Sequence, residues 1–224
     1  MKLGLYSALN FLNVVIMLSV ASCTEQKQSD RKESRPNIVQ DTAENSSINN
    51  NVQLEQPITD VASIQNAYAN IVSKNKAGSL DSTSFKYSCH GEKEGSVSYF
   101  TEKGRLVMIV HRYNEYDHYS AEDRYYVKDS TLFFSFNKSV TWAFESGPEG
   151  ATKDNIKERR VYLAGGEPIK CLEKNFVIRS QVKDNPRSEK VPSVEVDCPL
   201  SGTVMKPYQL LVKYRNNPSS GCLN

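Results

Sequence analysis

His111, Glu115, Asp117 and His118 place two imidazoles and two carboxylates in one short stretch, side-chain types that ligate zinc or a similar ion when a loop folds back to bring them together. A polar hairpin tip carrying solvated charges accounts for the same residues, and their spacing matches no metal motif. No metal and no cofactor is therefore expected. Tyr113, Tyr116, Tyr119, Tyr125 and Tyr126 crowd the same region, with Arg112 and Arg124 among them. Each tyrosine offers a flat apolar face and a polar tip, suited to stacking on a sugar or to rigid contact with a protein. These five tyrosines with Arg112 and His118 form the candidate ligand surface. Cross-strand aromatic pairing, which would only stabilise a sheet, is the competing account.

Nucleophile patterns carry less. Ser135 with Lys138, Ser180 with Lys183, Ser29 with Lys32 and Ser73 with Lys76 all fit S-x-x-K, so the pattern selects nothing by itself. The chain holds no G-x-S-x-G, H-E-x-x-H, Walker A or G-x-G-x-x-G motif. Glu158, Arg159 and Arg160 could form an anion-binding cluster, although a solvated strand edge explains them more simply. No residue is assigned a catalytic role.

The elements that would position these residues follow from periodicity. Ile58, Val61, Ile64, Tyr68, Ile71 and Val72 recur at helical spacing, which predicts a helix over Ile58 to Lys76, stopped by Gly78. From Phe85 onward the pattern has period two, as in Leu132, Phe134 and Phe136 or Val140, Trp142 and Phe144. Further predicted strands are Gly95 to Thr101, Arg105 to Tyr113, Glu122 to Lys128, Glu158 to Leu163, Pro168 to Leu172, Asn175 to Val182, Val191 to Cys198 and Tyr208 to Arg215. Arg105 to Tyr113 is apolar on both parities, as expected of a central strand. Tyr99-Phe100 before Gly104, Tyr125-Tyr126 before Asp129 and Val161-Tyr162 before Gly165-Gly166 repeat one theme of aromatic strand, tight turn and apolar strand. The expected fold is α+β and mainly β: a twisted antiparallel meander or partly closed barrel with one N-terminal helix packed on it.

The chain has 224 residues and a formal net charge of +2, a balance that gives no footprint for nucleic acid. Its start is unlike the rest. Lys2 precedes a mostly apolar run from Ala8 to Val20, too short to span a bilayer permanently, and a small-residue site follows. Residues 1–22 thus read as a signal peptide. Residues 24–57 are rich in Gln, Ser, Asn and mixed charge and read as a disordered tether, which as a coil would reach about 32 Å. Residues 58–224 form the expected single domain. Cys89, Cys171, Cys198 and Cys222 make an even set, open to three pairings. Cys89 with Cys171 and Cys198 with Cys222 is the pairing preferred here, because the tail from Pro218 to Gly221 can loop back to place Cys222.

Val20-Ala21-Ser22-Cys23 resembles the lipobox of bacterial lipoproteins, which implies lipidation of Cys23 at a new N-terminus and a membrane anchored by acyl chains such as palmitate. Thr24, where many enteric lipoproteins retained in the inner membrane have aspartate, favours an outer-membrane address. The hairpins behind a tether look like those of small β-rich lipoproteins from Bacteroidetes. Tyr87-Ser88-Cys89-His90-Gly91, followed by Val97-Ser98-Tyr99-Phe100, is similar to the Y-x-C-x-G opening of lipidated lysozyme inhibitors. Three functions follow in order. The first is a non-enzymatic binding or scaffolding module of the cell envelope with a protein or glycan partner. The second is a lysozyme-type inhibitor, and the third is an enzyme acting on envelope polymers through His118 with Asp117 or Glu115.

Overall fold

A computed structural model of the chain describes residues 57–224. The expected signal peptide, the lipid site at Cys23 and the tether lie outside the described residues. The domain begins with helix α1, Val61–Lys76. Asp60 caps it: its carboxylate accepts from Ser63 N–H at 2.8 Å while Ser63 Oγ accepts from Asp60 N–H at 3.1 Å, a reciprocal capping box. At the other end Ser79 N–H donates to Lys74 O and Gly78 N–H to Asn75 O, with Gly78 at φ +67°. That is a Schellman stop, and it needs a residue free to turn left-handed.

Eight strands follow in one antiparallel sheet whose spatial order is the chain order: β1 (Asp81–Cys89), β2 (Lys93–Glu102), β3 (Arg105–Glu115), β4 (Tyr119–Lys128), β5 (Thr131–Phe144), β6 (Thr152–Ala164), β7 (Glu167–Arg179) and β8 (Val194–Glu195). No ladder joins β1 to β8, so the meander stays open. The β2–β3, β4–β5 and β6–β7 hairpins share one construction. Both residues of each turn, Lys103-Gly104, Asp129-Ser130 and Gly165-Gly166, have positive φ, the conformation whose twist matches that of paired strands. Just after each turn the register slips, leaving Val107, Phe133 and Ile169 without a partner opposite. Each slip is a β-bulge that increases local twist.

Helix α2, Ser201–Lys213, closes the domain. The predicted strand from Tyr208 to Arg215 is therefore corrected to a helix. Val204, Tyr208 and Leu211 recur at helical spacing and are buried, but Pro207 lies inside the helix and hides the pattern. Three further corrections concern the sheet. The segments around Leu132–Phe136 and Val140–Phe144 are one strand, β5, and Pro168–Leu172 and Asn175–Val182 fuse into β7. Of the predicted strand from Val191 to Cys198, only Val194–Glu195 pairs, against β7.

The sheet has a core on each face. Tyr87, Val97, Tyr99, Ile109, Tyr125, Val127, Leu132, Val161 and Leu163 pack under α2 through Val204, Tyr208 and Leu211. Met108, Val110, Tyr126, Phe133, Phe134 and Tyr162 pack under α1 through Ile64 and Ile71. Tyr99 Oη donates to Leu211 O at 2.7 Å, a carbonyl in the last turn of α2 that also accepts from Tyr214 N–H at 3.1 Å. Both helices sit toward the three tight turns, so the other end of the sheet keeps polar residues on both faces. The disulfides are Cys89–Cys222 and Cys171–Cys198, which overturns the expected Cys89–Cys171 pairing. Cys171 points under α2 beside the segment leading into that helix, whereas Cys222 returns to β1, where Ser88 N–H donates to Ser220 O at 2.9 Å.

Candidate functional site

The candidate ligand surface is divided by the pleat. Tyr125 and Tyr126 are neighbours on β4 and point to opposite faces, Tyr125 under α2 and Tyr126 under α1, both buried. Tyr113 and Tyr119 are half-buried on the α2 face, 6.1 Å apart between ring centroids. Arg112 faces the other way. Tyr116 alone of the five is strongly exposed, at a positive φ of 51° in the β3–β4 turn, where its hydroxyl reaches Glu92 at 3.3 Å. The His118 ring lies 4.2 Å from that of Trp142, tilted by 38°. Most of the tyrosine cluster is thus core and cross-strand packing.

The possible metal ligands also part company. His111 is buried on the α2 face, Glu115 pairs with Lys93 at 2.6 Å, and Asp117 and His118 lie in the turn. Among the described residues, Cys89, His90 and Cys222 are the ligand-type side chains that come together, and both sulfurs are committed to their disulfide.

What the fold does assemble is a pair of polar rows running straight across the strands, one on each face. On the α2 face, His111, Asp123, Asn137, Arg159 and Glu173 are successive register partners from β3 to β7. Tyr87 Oη lies 2.8 Å from His111 Nε2, His111 Nδ1 lies 4.0 Å from Asp123 Oδ2, and Asn137 donates to Asp123 Oδ1 at 2.9 Å. Burial, with Lys93 nearby, pushes the His111 ring down to about 4, so it is neutral at pH 7. A neutral ring accepting from Tyr87 at Nε2 carries its proton on Nδ1, facing Asp123. Burial raises Asp123 above the usual carboxylate range and lifts Tyr87 to about 12. A phenol at that value is a poor nucleophile at neutral pH, and the row reads as a buried proton-holding network. Gly95 makes the contact possible: a Cβ there would meet Arg112 O at 2.6 Å and the Tyr87 ring at 2.7 Å. Beside this row a cavity of about 260 Å³ opens at the start of α2, lined by Tyr119, Asp123, Asn137, Lys157, Arg159 and Thr203.

On the α1 face the corresponding row is Lys86, Ser96, Arg112, Glu122, Lys138, Glu158 and Lys174, alternating in charge from β3 to β7. Glu122 accepts from Arg112 Nε at 2.5 Å and from Arg124 Nε at 2.7 Å. Beyond the helix-covered rows this face forms an open trough of about 830 Å³, where Lys86, Ser96, Asn114, Ser120, Glu122 and Lys138 present hydroxyl, amide and charged groups. Its size falls within the range of ligand clefts, although its lining is more polar than is usual for a drug-like molecule.

Sequence reading weighed Glu158, Arg159 and Arg160 as one cluster, but the pleat sends Arg159 to one row and Glu158 and Arg160 to the opposite face. Asp123 and Asn137 carry no sequence signal, and Tyr87 and Lys138 have one only through the Y-x-C-x-G and S-x-x-K patterns, because what joins the four is register, which appears only once the strands pair.

These features define an open eight-stranded meander with a helix on each face and a charged trough at its uncovered end. No family model, no curated protein and no solved structure matches the chain.

Proposed function

We propose that the chain is a lipid-anchored envelope protein whose β-rich domain acts as a non-enzymatic binding module for a polar glycan. The signal-like start and Cys23 supply the anchor in this reading, with the outer membrane as its address. Two disulfides among the described residues suit an oxidising compartment outside the cytosol. The observation that carries the binding role is the trough on the α1 face. Serine hydroxyls, the Asn114 amide and charges of both signs match the hydroxyl-rich surface of a saccharide better than the aromatic anchors of a protein interface.

The anchor is tested by growth of the native host on labelled palmitate, with incorporation expected in the wild type and none in Cys23→Ala. Binding is tested by applying the mature protein to immobilised envelope polysaccharides, beside a Ser96→Trp variant that fills the trough. Retention of the wild type and loss in the variant supports the reading. Capture of a protein in place of any glycan, or equal retention of both forms, overturns it.

A further inference from the structure

A second cavity on the α1 face lies under α1, apart from the trough. It has a volume of about 270 Å³, near nine water-sized volumes, and is walled by Gln65 and Tyr68 of α1 and by Arg124, Phe136, Arg160 and Tyr162 of the sheet. Arg124, Phe136 and Arg160 are register partners on β4, β5 and β6, so two guanidinium groups flank one aromatic ring. The Arg160 guanidinium carbon lies 5.1 Å from the Phe136 centroid and that of Arg124 lies 5.9 Å away. Both are within cation–π range, which orients the two groups across the ring.

The two arginines are not equally satisfied. Arg124 is held by Glu122 through Nε at 2.7 Å and Nη2 at 2.5 Å. Arg160 has one long contact, Nη2 to Glu158 Oε2 at 3.3 Å, and that carboxylate already accepts from Ser188 Oγ at 2.7 and 2.8 Å. Arg160 Nη1 is buried without a hydrogen-bond partner among the described residues. The Arg160 side chain keeps 23% of its surface exposed, so its charge is only partly matched by Glu158 and the guanidinium has donors to spare. Arg112 and Arg124 share the one carboxylate of Glu122, and Arg160 has that of Glu158, so three guanidinium groups meet two carboxylates. The walls are aromatic, with Tyr68 edge-on to Tyr126 at 4.9 Å and to Phe134 at 5.1 Å.

We infer that this cavity binds a small oxyanion, a carboxylate or phosphate carried on a compact apolar body, with the accessible edge of the Arg160 guanidinium donating to its oxygen and the aromatic walls enclosing the rest. A planar guanidinium fork suits either oxyanion. The site goes beyond the trough and does not depend on the glycan reading.

The test titrates the mature protein with benzoate and, separately, with inorganic phosphate, against sodium chloride at equal ionic strength. The readouts are the 15N-resolved Nε–H resonance of Arg160 and the Tm. Saturable movement of that resonance and a Tm rise with benzoate or phosphate, but not with chloride, is expected; which of the two acts identifies the oxyanion. Arg160→Lys should weaken binding by about tenfold or more, because it keeps the charge and loses the fork. Gln65→Trp, from the helix side, should block the cavity without touching an arginine and keeps the idea testable if the Arg160 variant folds poorly. Ser96→Trp should leave oxyanion binding intact. Equal responses to chloride, or undiminished binding in both Arg160→Lys and Gln65→Trp, would overturn the inference.

Discussion

At the scale of single residues, the polar row under α2 makes acid sensitivity a property of named side chains. His111 has its ring pushed from an ordinary 6.5 to about 4 in the folded chain, so the unfolded chain takes the proton first. Stability is then full above pH 6.5 and falls as pH drops toward 4, by about 3 kcal/mol if the group acts alone. Glu173 adds a second step. Burial would raise it, but hydrogen bonds from Asn175, Lys157 and Arg159 outweigh burial and hold it near 2, so its contribution is present above 4.5 and lost between 4.5 and about 2. Asp123, raised by burial, takes up its proton more readily when folded and works against both losses just above its ordinary value of 3.8. Urea denaturation from pH 7 to pH 4 should show the first step in the wild type, and His111→Gln should flatten it. An unchanged slope in the variant would remove His111 as its source.

At the scale of elements, three hairpins with one design differ at a single telling position. The second turn residue is Gly104 in the first, Ser130 in the second and Gly166 in the third, all at positive φ. A side chain there is strained by contact with its own backbone, and glycine is not. Ser130→Gly should therefore raise stability by about 0.5–1 kcal/mol, read as a higher Tm, while Gly104→Ala and Gly166→Ala should lower it. The gain should survive because the bond that Ser130 makes to Tyr208 Oη, at 3.4 Å, uses the backbone carbonyl, which glycine retains. The same elements show what period-two reading does well and where it fails. It found the aromatic strands beside each turn, because apolar alternation is strongest where a helix covers the sheet. It broke β5 at Asn137-Lys138-Ser139 and β7 at Glu173-Lys174, because there the strands cross the polar rows and the alternation carries charge in place of hydrocarbon. The breaks in the pattern mark the candidate site.

At the scale of the whole molecule, the two disulfides hold different things. Cys171–Cys198 spans 27 residues and fastens the segment before α2 to the sheet, while Cys89–Cys222 spans 133 and ties the C-terminal tail to edge strand β1. Loop-closure entropy assigns about 3.5 kcal/mol to the shorter link and about 5 kcal/mol to the longer. Peptide mapping of the unreduced protein should yield linked peptides 89–222 and 171–198 and no 89–171 link. The Cys89→Ala/Cys222→Ala double variant should lose more stability than Cys171→Ser/Cys198→Ser loses through its open loop alone. It should also release the end of the β1 edge that the tail holds at Ser88, which increases self-association on concentration, measurable by light scattering.

Local order on the sequence determined the helix after Asp60, the succession of hairpins and the mainly β character, since capping groups, turn residues and side-chain alternation act between near neighbours. The tertiary structure alone decided that Tyr208 faces the sheet from a helix, that Cys89 meets Cys222, and that the tyrosines are split between two cores. It also decided that His111, Asp123, Asn137, Arg159 and Glu173, spread over five strands, stand in one line. Those outcomes depend on the register of distant strands. A shift of one residue in a strand sends every side chain to the other face, and no short stretch of sequence carries that information.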